Sequence, residues 1–157
     1  MDRATLTRLF AALEAEGVDY VLVGGLAVNL HGIVRATEDV DLFIRADEGN
    51  VARLRRSLRR VVDDPEVESI EAADLAGPYP VIRYVSPDGR LTVDLLARLG
   101  ECFAFDDLEA ERFDLDGIDV RLATPKTLWR MKRDTTRAVD AADAIRLEAA
   151  FGLREER

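Results

Sequence analysis

The sequence predicts a single domain of the α/β (α+β) class, in which a mixed β-sheet is flanked by helices. Apolar residues recur with helical spacing in some segments and with strand spacing in others, and the two kinds of segment alternate along the chain. Two pairs of predicted strands are joined by short turns, and no linker or repeat interrupts the sequence. We therefore place one domain at residues 1–150 and a charged C-terminal tail at residues 151–157.

The first half of the chain contains the clearest helices and strands. Helical spacing of leucine and phenylalanine predicts a helix over residues 5–16, and D-Y-V-L-V predicts a strand over 19–23. A short helix over 26–30 and a strand over 40–44 follow, separated by a polar loop. The charged segment 48–62 predicts a third helix, with its apolar side at Val51, Leu54, Leu58, Val61 and Val62.

The middle of the chain predicts mainly β-structure. A short strand near residues 67–70 follows the helix-breaking D-D-P. Apolar runs on either side of turns rich in aspartate and glycine predict two hairpins, one of residues 81–85 with 91–96 and one of 113–115 with 118–122.

Two helices are predicted at the C-terminal end. Thr124 followed by Pro125 is typical of a helix start, and this helix should run to about Arg133. The apolar side of the last helix is expected to consist of Val139, Ala142, Ile145, Leu147 and Ala149. Phe151 and the charged tail follow this helix.

The composition indicates a cytoplasmic protein that has no contact with membranes. The chain has 157 residues, of which 48% are hydrophobic, and a net charge of -9. That charge argues against a coat for nucleic acid or a binder of anionic membranes, although it is compatible with a local basic patch. The single cysteine, Cys102, excludes an intrachain disulfide and is interpreted as a packing residue. The N-terminus does not resemble a signal peptide, and no apolar run approaches membrane-spanning length.

Three aspartates stand out because they lie inside apolar strand segments. In a strand, residues two apart point to the same face, so Asp39 and Asp41 should project together while Val40 and Leu42 face the core. Asp94 repeats the pattern within V-D-L-L. Like charges on a mostly buried strand are unfavourable unless a cation neutralises them, and Mg²⁺ prefers such oxygen ligands. If the two strands are neighbours, three carboxylates converge on a site that suits two metal ions. Taken alone, the Asp-Val-Asp sequence more often lies at an exposed strand end, and Asp94 could be an acid at a hairpin edge.

Gly24 and Gly25 follow the first predicted strand and open a helix. A glycine turn in that position lets backbone N–H groups approach phosphate oxygens, although a bare Gly-Gly is more often a simple tight turn. The segment is neither a Walker loop nor the G-x-G-x-x-G of dinucleotide folds. Because one helix and one loop separate it from the acid pair, one substrate could contact both. This arrangement indicates metal-assisted phosphoryl transfer.

These residues together resemble the nucleotidyltransferase superfamily of the polymerase-β type. The pattern G-G-x-A followed by H-G-x-x-R-x-T-x-D-x-D is most similar to the AbiEii-type toxin nucleotidyltransferases, and the aminoglycoside and lincosamide nucleotidyltransferases have related motifs. The resemblance extends over about residues 18–150 and is most specific over 23–44 and at Asp94. It implies a mixed five-stranded sheet between helices, dependence on Mg²⁺, and transfer of a nucleoside monophosphate from an NTP to an acceptor hydroxyl.

Carried over by position, the resemblance assigns roles to residues of this sequence. Gly24 and Gly25 would hold the triphosphate, while Asp39 and Asp41 would bind Mg²⁺. Asp94 would be the third carboxylate, which bridges the metal ions and is a candidate for accepting the hydroxyl proton. The implied partners are an NTP, a tRNA or other RNA as acceptor, and an antitoxin protein.

Three cationic or polar side chains are further candidates at the same site. Arg35 and Thr37, in the loop that enters the metal strand, could contact the triphosphate, although a loop arginine often forms a local salt bridge. Lys132 could neutralise phosphate charge, or it could be an ordinary solvated lysine of its helix. The segment around Lys132 resembles the toxin-type lysine helix, and Lys132 and Asp143 match it, but Val139 stands where that pattern has a second lysine.

Other distinctive residues have simpler interpretations. His31, the only histidine, is expected to pack or cap a helix rather than act as a base. The arginines between 53 and 60 are expected to form a solvated helix face, with an RNA groove as the alternative. Trp129 is expected to anchor the last helices, with base stacking as its alternative.

Three functions therefore remain open from the sequence. The first is Mg²⁺-dependent nucleotidyl transfer to RNA, as in a toxin. The second is transfer to a small molecule of the antibiotic type. The third is a nucleotide- or partner-binding module that has the fold without turnover.

Overall fold

The structure is a computed structural model that describes residues 1–101 and 103–156. Cys102, the expected packing residue, and Arg157, the last residue of the predicted tail, lie outside the described residues. In the described part the helices are α1 (Arg3–Glu16), α2 (Gly24–Leu30), α3 (Glu48–Arg59), α4 (Ala72–Ala76), α5 (Pro125–Lys132) and α6 (Ala138–Phe151). The strands are β1 (Tyr20–Val23), β2 (Val40–Ile44), β3 (Val81–Val85), β4 (Thr92–Leu96), β5 (Arg98–Leu99), β6 (Phe103–Ala104), β7 (Ala110–Leu115) and β8 (Ile118–Ala123).

A six-stranded mixed sheet forms the centre of the domain, in the order β3-β4-β2-β1-β8-β7. The strand β2 is antiparallel to β1 and parallel to β4, and β1 is parallel to β8. The two predicted hairpins are β3–β4 and β7–β8. The predicted fold class is confirmed, while the sheet has six strands rather than the five that the resemblance implied, with the hairpin β7–β8 at one edge.

The helix ends follow from local side-chain chemistry. Asp2 accepts a hydrogen bond from the backbone N–H of Thr5 at 2.7 Å at the start of α1, and Gly17 ends that helix in the left-handed conformation. Thr124 accepts from the N–H of Thr127 at the start of α5, which begins with Pro125. The sequence prediction relied on the Thr124–Pro125 start of α5, which is confirmed, whereas α1 begins at Arg3, two residues before its predicted start.

The helix α3 packs against the core through its apolar side and is shorter than predicted. Leu54 and Leu58 are fully buried, and burying a leucine stabilises the fold by about 1.5–3 kcal/mol. The helix ends at Arg59, three residues before its predicted end, and Val61 and Val62 donate their N–H groups to the carbonyl of Leu58 in the following turn. Both valines are only partly buried.

The strand predicted near residues 67–70 is wrong. Pro65–Ser69 forms a 3₁₀ helix instead, capped by the side chain of Asp64. Because residues three apart lie on the same side of a 3₁₀ helix, Val67 and Ile70 can both be buried without strand pairing. The apolar pair that suggested a strand therefore fits the tighter helix equally well.

The predicted apolar side of α6 is also wrong in part. Ile145 is 69% exposed and Val139 is 38% exposed, whereas the buried residues of the helix are Asp143, Ala144 and Leu147. The helix is rotated so that a carboxylate points inward, where it meets buried cations described below. None of the helices in the described ranges has the length and apolar character that crossing a bilayer requires.

Candidate functional site

Three aspartates lie on one face of the sheet because β2 and β4 are parallel neighbours. Asp41 stands opposite Asp94 in this pairing, and Asp39 lies two residues before Asp41, next to the start of β2. The alternate residues of the two strands are fully buried on the opposite face: Val40, Leu42, Val93 and Leu95. The strand alternation thus places the three carboxylates together, and their role as metal ligands stays a prediction.

Asp41 is in the most crowded position of the three. Burial, and after it the charges of Asp94 and Asp39, raise the pKa of Asp41 to about 6. Neighbouring carboxylates in a partly buried site repel each other, and a divalent cation would relieve that repulsion. The donors are hard oxygen atoms, which are the ligands that Mg²⁺ prefers.

Arg83 is the residue of this site that the sequence analysis missed. It lies on β3, directly opposite Asp94 in the hairpin, and its Nε and Nη2 donate to the two oxygens of Asp94 at 2.8 and 2.9 Å. Nη2 also donates to Oδ2 of Asp39 at 3.2 Å. The hairpin turn could have identified Arg83 from the sequence, because the turn fixes the register and hence which residue of β3 lies opposite Asp94.

The position of Arg83 bears on how the acids could hold a metal. Over residues 1–101 and 103–156, no three His, Cys, Asp or Glu side chains form a ready-made cation site. Two of the three aspartates share the guanidinium of Arg83, which already supplies them with a positive charge. The residues therefore fit Mg²⁺ by the chemistry of their donors, provided that Arg83 gives way.

The two glycines lie against the acids and the loop that precedes them. The helix α2 begins at Gly24, two residues earlier than predicted, with φ of 72°. A Cβ atom at Gly24 would lie 2.7 Å from Cγ of Asp41, and one at Gly25 would lie 2.8 Å from Nη1 of Arg35 and 3.2 Å from Oγ1 of Thr37. Glycine is therefore required for this close packing, and at Gly24 also for the left-handed backbone.

A largely buried network of charges lies next to Gly25. Arg35 contacts Asp143 at 2.5 Å, and Lys132 contacts Asp143 at 3.0 Å and Asp140 at 2.9 Å. Lys132 is 7% exposed and Asp143 is 2% exposed. Two cations and two anions balance each other, so the network satisfies groups that would be costly to bury singly. It joins the loop before β2 to α5 and α6. Asp140 was another residue that the sequence analysis did not select.

All eight residues selected from the sequence line one cleft of about 520 Å³: Gly24, Gly25, Arg35, Thr37, Asp39, Asp41, Asp94 and Lys132. Arg83 and Arg137 line it as well, and an apolar wall is formed by Leu96, Leu99, Leu128, Met131 and Val139. The structure thus brings the selected residues together.

The remaining distinctive residues lie outside this cleft. His31 packs against Phe151, and its Nε2 lies 2.7 Å from the carbonyl oxygen of Ala123, which is a structural role. Trp129 is buried, with the guanidinium of Arg133 over its ring. Each of the α3 and adjoining arginines contacts an acidic side chain: Arg53, Arg55, Arg56, Arg59 and Arg60. The paired state of these arginines agrees with a solvated helix face.

Comparisons with known proteins identify the family and support the fold. Residues 7–127 match the sequence model of the family described as "Nucleotidyl transferase AbiEii toxin, Type IV TA system". Among solved structures, an antigenic nucleotidyltransferase-like protein from Paracoccidioides brasiliensis is similar, with a TM-score of 0.57 and 18% sequence identity over 94% of this chain and 75% of that chain. At that identity the likeness concerns the fold alone. No curated protein sequence matches this chain significantly.

Proposed function

The chain belongs to the AbiEii family of nucleotidyltransferase toxins, and from this premise we propose that it transfers a nucleoside monophosphate from an NTP to an acceptor hydroxyl in the cytoplasm. The observation that carries the proposal is the convergence of three aspartates on one sheet face beside Gly24 and Gly25, within a single cleft. Family membership supports nucleotidyl transfer in general. The metal, the acceptor and the residue roles are our proposal.

Asp39, Asp41 and Asp94 would hold two Mg²⁺ ions, which supply charge neutralisation at the transferred phosphate. Because Gly24 and Gly25 have no side chains, Asp41 and Arg35 pack directly against the backbone of this turn, whose N–H groups would bind phosphate oxygens. Lys132 and Arg35, which Asp143 holds in place at the edge of the cleft, would donate hydrogen bonds to phosphate oxygens. Thr37 would contribute its hydroxyl to the phosphates.

Proton removal from the acceptor hydroxyl is assigned to Asp94. Both oxygens of Asp94 accept hydrogen bonds from Arg83, so this role requires that at least one of these bonds be released. The carboxylate of Asp94 takes the hydroxyl proton, the acceptor oxygen bonds to the α-phosphorus, and the bond from that phosphorus to the oxygen bridging it to the β-phosphorus breaks, so that pyrophosphate departs.

We favour RNA, such as a tRNA, over a cationic small molecule as the acceptor. Five acidic and four basic side chains line the cleft, so two divalent cations would turn its charge from slightly negative to positive. A positive cleft favours polyanionic substrates. Because the family's description names a type IV TA (toxin–antitoxin) system, we propose an antitoxin protein as the partner in the cell and expect expression of the chain without it to arrest growth.

The test is incubation of the protein with each α-labelled NTP, Mg²⁺ and either total RNA, cellular protein or aminated small molecules. We expect label in the RNA fraction, and loss of at least 100-fold of the activity in Asp39→Ala, Asp41→Ala and Asp94→Ala. Asp119→Ala removes an acid of β8 outside the cleft and serves as the matched control. Normal transfer by any of the three cleft variants, with folding verified by circular dichroism, would refute the assignment.

A second candidate is a nucleotide-binding module without turnover. It is favoured by one observation, namely that Arg83 and Lys132 are both engaged by carboxylates of the protein itself. Such a module would bind an NTP with Mg²⁺ in a calorimetric titration and release no pyrophosphate with any acceptor fraction. Pyrophosphate release with RNA would exclude it.

A further inference from the structure

Arg83 is the cation that lies directly against two of the proposed metal ligands. Its contacts with Asp94 and Asp39, at 2.8 to 3.2 Å, occupy carboxylate oxygens that a divalent cation would need. Building on the proposed function, we propose that Arg83 couples metal binding to nucleotide binding. Its guanidinium competes with the divalent cation for Asp39 and Asp94, and it is released when the phosphates of a nucleotide offer it another partner.

The geometry allows Arg83 to hold the acids and also to leave them. The pair with Asp94 is a direct cross-strand pair of the β3–β4 hairpin, so the guanidinium reaches the carboxylate without distortion of the backbone. The side chain of Arg83 is nevertheless 60% exposed, against 15% for Asp94. It lies on β3, the edge strand, and can turn toward the open cleft while its backbone remains in the sheet.

The other cations of the cleft are placed differently. Lys132 and Arg35 are held by Asp143, and Lys132 also by Asp140. Neither forms a salt bridge with Asp39, Asp41 or Asp94. Within the part of the chain that the structure describes, Arg83 is thus the basic side chain that forms salt bridges with the catalytic acids.

The charges explain why the two ligands should depend on each other. Without metal, Arg83 partly neutralises the three carboxylates, and burial and crowding still act on Asp41. Two divalent cations over-neutralise these acids, so Arg83 then adds to an excess of positive charge. A nucleoside triphosphate removes that excess and accepts hydrogen bonds from the guanidinium. Metal ions that bind alone must therefore compete with Arg83, whereas metal ions that bind together with a nucleotide do not. By thermodynamic linkage, the nucleotide strengthens metal binding by the same factor as the metal strengthens nucleotide binding.

The test measures binding rather than turnover. Mn²⁺ affinity without nucleotide is measured from the signal of free Mn²⁺ in electron paramagnetic resonance. Equilibrium dialysis then gives the affinity for the α,β-methylene analogues of ATP, GTP, CTP and UTP without Mn²⁺ and at saturating Mn²⁺. Wild type is compared with Arg83→Gln. Arg90→Gln is the control, because Arg90 is an exposed arginine at the tip of the same hairpin, where it pairs with Asp88.

We expect Arg83→Gln to bind Mn²⁺ alone at least five-fold more tightly than wild type. The factor by which Mn²⁺ strengthens nucleotide binding should fall at least five-fold, while Arg90→Gln stays within two-fold of wild type in both quantities. Arg83→Lys keeps the charge and loses the paired hydrogen bonds, and it should lie between the two; it replaces Arg83→Gln if that variant does not fold.

The outcomes separate this inference from the proposed function. If wild type binds Mn²⁺ and an analogue but the Arg83 variants match it within two-fold, the coupling role is overturned and the proposed function stands. Equal changes in Arg90→Gln would likewise overturn it, because they would reflect net charge alone. If wild type binds neither Mn²⁺ nor any analogue, both proposals are overturned.

Discussion

Replacing Gly24 by alanine tests the packing of the glycine turn against the acids. Gly24 has φ of 72°, and an alanine there adopts a left-handed backbone that costs roughly 1–2 kcal/mol. The new Cβ would also lie 2.7 Å from Cγ and 2.8 Å from Cβ of Asp41, although carbon atoms in proteins pack at about 3.5–4.0 Å. Asp41 cannot simply rotate away, because its own Cβ is part of the collision.

Gly17 provides a matched control for the backbone cost. It has φ of 66°, and a Cβ atom there would meet nothing within 4 Å. Gly17→Ala should therefore lose roughly 1–2 kcal/mol through the backbone alone, which lowers Tm by about 2–8 °C in a domain of this size. Gly24→Ala should lose about a further 1–3 kcal/mol, since overpacking forces β2 or α2 to shift.

Thermal unfolding and Mn²⁺ binding of the two variants measure the difference. Gly24→Ala should have the lower Tm and at least ten-fold weaker Mn²⁺ affinity, because the collision displaces a proposed ligand. Gly17→Ala should retain the wild-type affinity. Equal Tm values and equal Mn²⁺ affinities for the two variants would refute the view that Gly24 is required by its contact with Asp41.

Three further predictions concern charge and burial. Because the pKa of Asp41 is raised from 3.8 to about 6, its ionisation destabilises the fold as the pH rises through that range. With a chelator present, Asp41→Asn should therefore stabilise the protein by about 1–3 kcal/mol at pH 8 and by little at pH 4. A gain in stability that does not depend on pH in thermal melts would contradict this. Lys132→Met removes the partner of two buried carboxylates and should lower the free energy of unfolding in urea by about 3–5 kcal/mol. Lys126→Met, which breaks an exposed pair on the same helix, should lower it by less than about 1 kcal/mol. Similar losses in both variants would disprove that Lys132 stabilises the buried carboxylates. Ile145→Glu should change Tm by less than about 2 °C while Leu147→Glu should unfold the protein in the same assay, and the reverse order would show that α6 packs on its other side.

The parts of the fold that depend on local signals could be predicted from the sequence. The strand β3 and the start of α5 lie where the apolar pattern and the Thr-Pro pair placed them. The two-residue strand period placed Asp39 and Asp41 on one side. These features depend on residues that are close in sequence, so the pattern contains the necessary information.

The parts that the sequence analysis missed depend on distant partners. Nothing local shows that β2 and β4 are parallel neighbours, which is what brings Asp94 to Asp41. The inward side of α6 was predicted wrongly because Asp143 is a polar residue that the apolar pattern places outside. It is buried through its contacts with Arg35 and Lys132, which lie on two other elements. Arg83 was overlooked because an arginine in an edge strand is ordinarily a solvated residue, and its meaning emerges only beside Asp39.

The parallel pairing of β2 with β4 also has a consequence for how the protein acquires its acid cluster. Parallel strands are joined by long connections, and closing such a loop is slow compared with forming a helix or a hairpin. Arg83 and Asp94 can meet early, within one hairpin, whereas Asp41 joins them only once the centre of the sheet has assembled. We therefore expect Asp94 to pair with Arg83 before the cluster forms, so that Mn²⁺ affinity gained during refolding would report the completion of the sheet.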